Sequence, residues 1–233
     1  MREFIAAYDA ALPPDAWPNR ELGSHDISRV ATRLGPARAR AALVLLLTLR
    51  GTPVLYYGDE IGMADVPVPP AHARDPWGSV EPGAGRDPAR TPMRWDATSR
   101  AGFTAAGAVP RLPIRAAGES PGAGPDVASQ AADPSSTLLL VRDLLRLCKE
   151  HPALATGDQR LVPAPLGVLA YLRQQGTARF LVAVNTADAA ADLPLAHEGL
   201  TEVSTDHRRR GGRRDCSLRP GPHEACVVRL DAP

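Results

Sequence analysis

Lysine is almost missing from this chain of 233 residues: Lys149 stands alone, and arginine carries the remaining positive side-chain charge. GC-rich coding is the ordinary cause of such a bias. The formal net charge is only +1, so there is no electrostatic case for a nucleic-acid or anionic membrane partner. Aromatic residues make up 4% of the chain. No apolar run reaches the length of a membrane span; residues 41–49 form the most apolar segment, and Arg40 and Arg50 close it at both ends. The start, Met1-Arg2-Glu3-Phe4, has charge but no apolar stretch of the kind a secretory signal needs. Cys148, Cys216 and Cys226 are odd in number and irregularly spaced, which argues against a disulfide framework or a zinc site. No metal or cofactor is expected, and a cytoplasmic location is the default.

What is plentiful is loop material, with 24 Pro and 20 Gly. The length allows one large or two modest domains. Phe4, Ile5, Tyr8 and Leu12 predict a helix over 2–12, stopped by Pro13-Pro14. A second helix is expected over 36–50, with Pro36 in its first turn and Gly51 as its stop. Periodicity then fades over 64–133, which is long for a structureless connection. Its dense part is 86–96, expected to be ordered, whereas 104–125 has the composition of a mobile segment. A third helix starts at Asp133 or Ser135 and closes at His151-Pro152. Beyond it the pattern turns to strands: 166–173 and 178–185 flank Gln174-Gln175-Gly176-Thr177, a hairpin signal, and 225–230 is a last strand. Residues 153–233 therefore predict a small antiparallel β domain. The five arginines within 207–214 are read as a solvated loop.

Two strand ends carry the polar groups that could do chemistry. Residues 54–57 predict a short buried strand ending in a turn with Asp59 and Glu60, and Leu22-Gly23-Ser24-His25-Asp26 predicts an earlier strand ending in a His-Asp pair. One helix-length segment lies between them. Strand, helix and strand with polar groups at the strand ends is the form of a βαβ unit in a parallel sheet or barrel. The Ser-His-Asp string is no catalytic triad, since adjacent residues do not converge on one proton-transfer line. Arg29, three residues past Asp26, is placed to hold a carboxylate bidentately. Asp59 and Glu60 also suit a helix start, and Tyr56 and Tyr57 suit a core. Trp77 and Trp95, in loops, read as sugar-stacking platforms or packing anchors.

Three motifs in order, Leu-Gly-Ser-His-Asp-x-x-Arg from Leu22, Arg-Gly-Thr-Pro-x-Leu-Tyr-Tyr-Gly-Asp-Glu-Ile-Gly-Met from Arg50, and Gly-Arg-Asp-Pro-x-Arg-Thr-Pro-Met-x-Trp-Asp from Gly85, resemble the α-amylase superfamily of glycoside hydrolases. The similarity is strongest to its bacterial α-glucosidase and oligo-1,6-glucosidase branch. The resemblance implies an α/β plus β fold: residues 1–152 as the C-terminal two βα units of a (β/α)8 barrel, with the long loop at about 64–133, and 153–233 as a small antiparallel β-sandwich. It implies Asp26 as the carboxylate that stabilises the oxocarbenium-like transition state through sugar hydroxyls. His25, Arg29, Arg94 and Trp95 would contact substrate. Two departures stand out. Ser24 occupies the family's usual Asn position, and the charged pair Arg20-Glu21 falls in a strand that should be buried. No motif matches the family's nucleophile and acid carboxylates, which precede these strands in the barrel. The expectation is a C-terminal part of an α-glucosidase-type hydrolase acting on α-glucosidic oligosaccharides, with an N-terminal barrel half as a partner and no activity alone. Whether the chain is itself an enzyme stays open on this reading. The alternatives are a non-catalytic carbohydrate-binding or interaction module and an accessory protein of solute transport.

Overall fold

A computed structural model describes residues 1–13, 15–81, 84–114 and 126–231; the second half of the segment expected to be mobile lies outside them. In chain order the elements are α1 (Arg2–Ala11), β1 (Asn19–Glu21), α2 (Val30–Leu34), α3 (Pro36–Thr48) and β2 (Thr52–Val54). Next come α4 (Trp77–Val80), α5 (Val127–Ala131), α6 (Thr137–Glu150) and α7 (Pro152–Ala155). Then follow β3 (Asp158–Leu161), β4 (Val168–Gln175), β5 (Ala178–Asn185), β6 (Leu193–Pro194), β7 (Gly199–Ser204), β8 (Arg213–Arg214), β9 (Ser217–Leu218) and β10 (Ala225–Leu230). Among the described residues, no helix is long and apolar enough to cross a membrane.

β1 and β2 pair in a two-stranded sheet. The buried strand expected at 54–57 is instead a strand of three exposed residues at Thr52–Val54. A ladder with a single neighbour leaves both of its outer edges and much of its faces open. Pairing is set by the Thr52 N–H bonding to the Pro18 carbonyl at 2.8 Å. Gly51, at φ 139°, permits that approach, because a Cβ there would lie 2.7 Å from the Pro18 oxygen. The charged pair is accommodated by pairing on one side and exposure on the other. Arg20 ion-pairs with Asp9 and lies 4.7 Å over the Tyr8 ring, and Glu21 is exposed.

The chain forms two compact units. The first comprises Met1–Arg20, Arg40–Val54 and Leu140–Pro233. Its centre is a six-stranded antiparallel sheet in the order β3-β4-β5-β10-β7-β8. β4 and β5 make the hairpin the sequence predicts, paired from Val168↔Asn185 to Gln175↔Ala178. Gly176 takes the positive φ, 57°, that its two-residue loop requires. Alternation places Ala170, Leu181, Ala183, Cys226 and Val228 on one face, in a core shared with Leu193 of β6 and Leu218 of β9. Tyr171 and Arg173 alternate to the opposite face, and both are fully buried. There the Tyr171 hydroxyl meets Thr48 Oγ1 at 2.6 Å, and Arg173 donates to the carbonyls of Thr48 (2.5 Å) and Gly157 (3.0 Å). These bonds answer the Tyr171 hydroxyl and both Arg173 Nη groups, and Arg173 Nε alone of these atoms has no partner among the described residues. Burial pushes the Cys148 thiol up to about 11 and the Cys226 thiol up to about 12, which makes both poor nucleophiles and metal ligands at neutral pH.

The second unit comprises Glu21–Ala39 and Leu55–Leu139. It contains little regular structure, as the loss of periodicity over 64–133 predicts. Its apolar centre is small: Ile61, Met63, Met93 and Leu138, with Val66 and Val127 against them. Side-chain to backbone bonds supply the rest of the order. Gln130 donates to the Ile61 carbonyl (2.7 Å) and accepts from the Leu138 N–H (2.8 Å), and Asp126 caps α5 by accepting from the Ser129 N–H at 2.8 Å.

Candidate functional site

All features that follow lie in the second unit. The turn at 24–26 is set locally, with Ser24 Oγ accepting the Asp26 N–H at 3.2 Å. It leaves the Asp26 carboxylate half-exposed, next to His25 Nε2 at 3.2 Å. Two guanidiniums hold one oxygen of that carboxylate. Arg86 Nη1 donates to Asp26 Oδ1 at 2.8 Å and Arg90 Nη2 donates to the same atom at 3.0 Å. Arg90 Nε also donates to the His25 carbonyl at 2.7 Å, which fixes the turn itself.

Arg86 is aimed from behind. The buried Asp75 takes its Nε at 2.8 Å and its Nη2 at 2.9 Å, a fork-to-fork pair, and also accepts the Arg86 N–H at 2.8 Å. These bonds hold the Asp75 carboxyl well below the usual carboxylate range. Buried Asp87 in turn accepts the N–H groups of Arg74 (2.6 Å) and Asp75 (2.8 Å). The loop is therefore tied internally by carboxylates, and two of its arginines reach out to clamp Asp26.

Arg29 is 0% exposed. Its Nη1 donates to the Tyr57 carbonyl at 2.6 Å, and its guanidinium lies 4.9 Å from the Tyr56 ring centre and 4.7 Å from that of Tyr57. The bidentate carboxylate contact expected of Arg29 does not form among the described residues: its guanidinium packs on the adjoining Tyr56 and Tyr57 rings, and its Nε and Nη2 have no hydrogen-bond partner there. Gly58, at φ 88°, makes room: a Cβ would lie 2.7 Å from Arg29 Nη1. Asp59 is also fully buried, and neither carboxylate oxygen has a hydrogen-bond partner among the described residues. Burial raises its pKa to about 6 against the opposing attraction of Arg29. The tyrosine hydroxyls fasten the 87–95 loop to the strand end, Tyr56 to the Ala89 carbonyl at 3.2 Å and Tyr57 to that of Thr91 at 2.8 Å.

A cleft of about 620 Å³ opens beside this clamp, in the size range of small-molecule sites. Arg86 and Arg90 line it, with Tyr57, Trp95 and Phe103 offering ring surface. Trp95 is half-exposed, as a stacking platform must be, whereas Arg94 beside it is buried. Trp77 is exposed and does not line the cleft. The structure thus brings His25 and Asp26 together and sets Trp95 on a cleft that shares two arginines with them. Arg29 and Arg94 lie in the interior. Arg86, Arg90 and Asp75 were not singled out from the sequence. The signal available was the dense Arg/Asp alternation over 86–96, which has no meaning until its partners at 26 and 75 are known. Among the described residues, no group of three or more His, Cys, Asp or Glu side chains could hold a metal ion.

A carboxylate clamped beside a ring-lined cleft is the arrangement of a small-molecule site, and comparison supplies the family. Residues 1–157 match the family model of the alpha-amylase catalytic domain, and the chain belongs to the α-amylase family. It is 34% identical to maltase A1 of Drosophila melanogaster over 199 residues, 83% of this chain and 33% of that protein. To a probable alpha-glucosidase of Rhizobium meliloti it is 34% identical over 205 residues, 84% of this chain and 35% of that protein. Among solved structures, trehalulose synthase MutB of Pseudomonas mesoacidophila MX-45 is similar with a TM-score of 0.80 at 27% identity, covering 99% of this chain and 46% of that one. The chain spans about a third of the length of the curated relatives it matches.

Proposed function

We propose that this chain supplies the substrate-holding share of an α-glucosidase-type active site acting on α-glucosidic oligosaccharides. In this reading residues 1–152 are the last two βα units of a barrel and 153–233 a C-terminal β domain. The nucleophile and acid/base belong to barrel strands that the chain does not contain. The observation that carries the proposal is the clamped Asp26: a solvent-reaching carboxylate with one oxygen fixed by Arg86 and Arg90, beside a cleft with an exposed tryptophan. A carboxylate held in that way presents its other oxygen to ring hydroxyls without first having to be ordered. Hydrogen bonds from sugar hydroxyls that tighten as positive charge develops on the ring lower the barrier, since they act in the transition state. His25 adds a ring nitrogen at the same edge, and Trp95 supplies the stacking surface. Arg29 and Arg94 act on substrate only through the backbone and loops they support.

A retaining mechanism needs two carboxyl groups roughly 5–5.5 Å apart on the two sides of the scissile bond, and Asp26 alone cannot form the covalent intermediate. The purified chain is therefore expected to release no chromophore from an aryl α-glucoside, while maltose perturbs the indole resonance of Trp95. Turnover that survives Asp26→Asn, or an indole signal indifferent to maltose, would overturn the reading.

A further inference from the structure

Two arginines in the cleft have no work in the clamp. Four guanidiniums line it, those of Arg74, Arg86, Arg90 and Arg111. Arg86 and Arg90 are committed to Asp75, Asp26 and the His25 carbonyl. The carboxylates are committed as well. Asp75 is spent on Arg86, and Asp87 on the main-chain N–H groups of Arg74 and Asp75. The side chains of Arg74 and Arg111 engage no carboxylate or carbonyl among the described residues, and both are exposed along the cleft wall. The hydroxyls of a neutral oligosaccharide can accept from these donors but leave their charge unneutralised. Ring surfaces and unneutralised guanidiniums in one concavity match a ligand with a sugar ring at one end and an oxyanion at the other.

Resting on the α-glucoside reading above, we propose that the cleft takes a glycoside whose ring carries an anionic substituent, a phosphate or a carboxylate, bound by Arg74 and Arg111. Trp95 and Phe103 receive the ring, Asp26 accepts ring hydroxyls, and the two free guanidiniums receive the oxyanion. Arginine suits this role because its planar fork meets two oxygens of either group at once. The attraction is partly solvent-exposed, so it weakens as ionic strength rises.

The test is a titration of the full chain at low ionic strength, followed at the Trp95 indole, with glucose, glucose 6-phosphate, glucuronate and inorganic phosphate. At least one of the two charged sugars is expected to bind tenfold or more tightly than glucose, and which one does so identifies the oxyanion. The double variant Arg74→Gln/Arg111→Gln is expected to remove that advantage and leave glucose binding unchanged. Neither residue belongs to the clamp, so the fold is not put at risk. Equal binding of glucose and both charged sugars would overturn the proposal while leaving the α-glucoside reading intact. So would inorganic phosphate binding as tightly as glucose 6-phosphate, or an advantage that survives the double variant. If no sugar of either kind binds, the α-glucoside reading itself fails.

Discussion

Asp59 offers a test of the site's electrostatics in which one substitution should raise stability. The carboxylate is 0% exposed and has no hydrogen-bond donor among the described residues, and burial lifts its pKa from 3.8 to about 6. That rise already contains the attraction to Arg29, so the surroundings as a whole still disfavour the charge. The folded state therefore holds a proton that the unfolded chain releases between pH 4 and 6. Unfolding stability must fall as pH rises through that window and level off above it. Each unit is worth ~1.4 kcal/mol, which bounds the loss at about 3 kcal/mol. Relaxation and water penetration around the carboxylate reduce it to roughly 2 kcal/mol. Asp59→Asn is nearly isosteric with the protonated acid and carries no charge at any pH. At pH 7 it should raise the melting temperature by about 4–8 °C for a chain of this size. At pH 4 the two proteins should melt together. Thermal unfolding across pH 4–8 reads both effects. A variant that melts at or below the native chain at pH 7 would show that Asp59 is stabilised as an anion, and would refute this account of its burial.

Two further outcomes follow from the same loops. Gly58→Ala forces a side chain into the left-handed region at φ 88°, with its Cβ 2.7 Å from Arg29 Nη1 and 2.9 Å from Met63 Sδ; a loss of about 2–4 kcal/mol is expected in urea unfolding, and a loss below 1 kcal/mol would mean that this turn relaxes freely. Asp75→Asn removes the charge that aims Arg86; the variant should melt below the native chain at neutral pH, with the gap closing as pH falls below the ordinary carboxylate range, because a depressed pKa contributes stability only where the unfolded group is ionised. A gap that persists unchanged at low pH would assign its effect to packing.

The parts of this molecule that were legible in the sequence share one property: their signal is local. Helix α3 is announced by Pro36 and Gly51, and the β4–β5 hairpin by alternation around Gly176. Asp26 and Trp95 are named by the motifs that contain them, and they lie in the clamp and on the cleft respectively. What escaped depends on partners distant in sequence. β2 lies two residues earlier than the apolar run suggests, since its ladder is set by Pro18 and since Tyr56 and Tyr57 are drawn to carbonyls at 89 and 91. Arg29 has the spacing of a carboxylate clamp and is instead packed against the adjoining Tyr56 and Tyr57 rings, while Arg86 and Arg90, 60 and 64 residues from Asp26, form the clamp. No periodicity reports a contact of that kind.

Asp26, held by Arg86 and Arg90, is proposed as the substrate-stabilising carboxylate of an α-glucosidase-type site. That role is tested most directly by joining this chain to the preceding part of the Rhizobium meliloti relative, so that all barrel strands are present. Hydrolysis of an aryl α-glucoside is then measured with Asp26 native and as Asn. The account predicts activity from the joined protein, none from either part alone, and a fall in kcat of at least 100-fold for Asp26→Asn with the melting temperature unchanged. A joined protein that folds and turns over equally well with Asn at position 26 would contradict it.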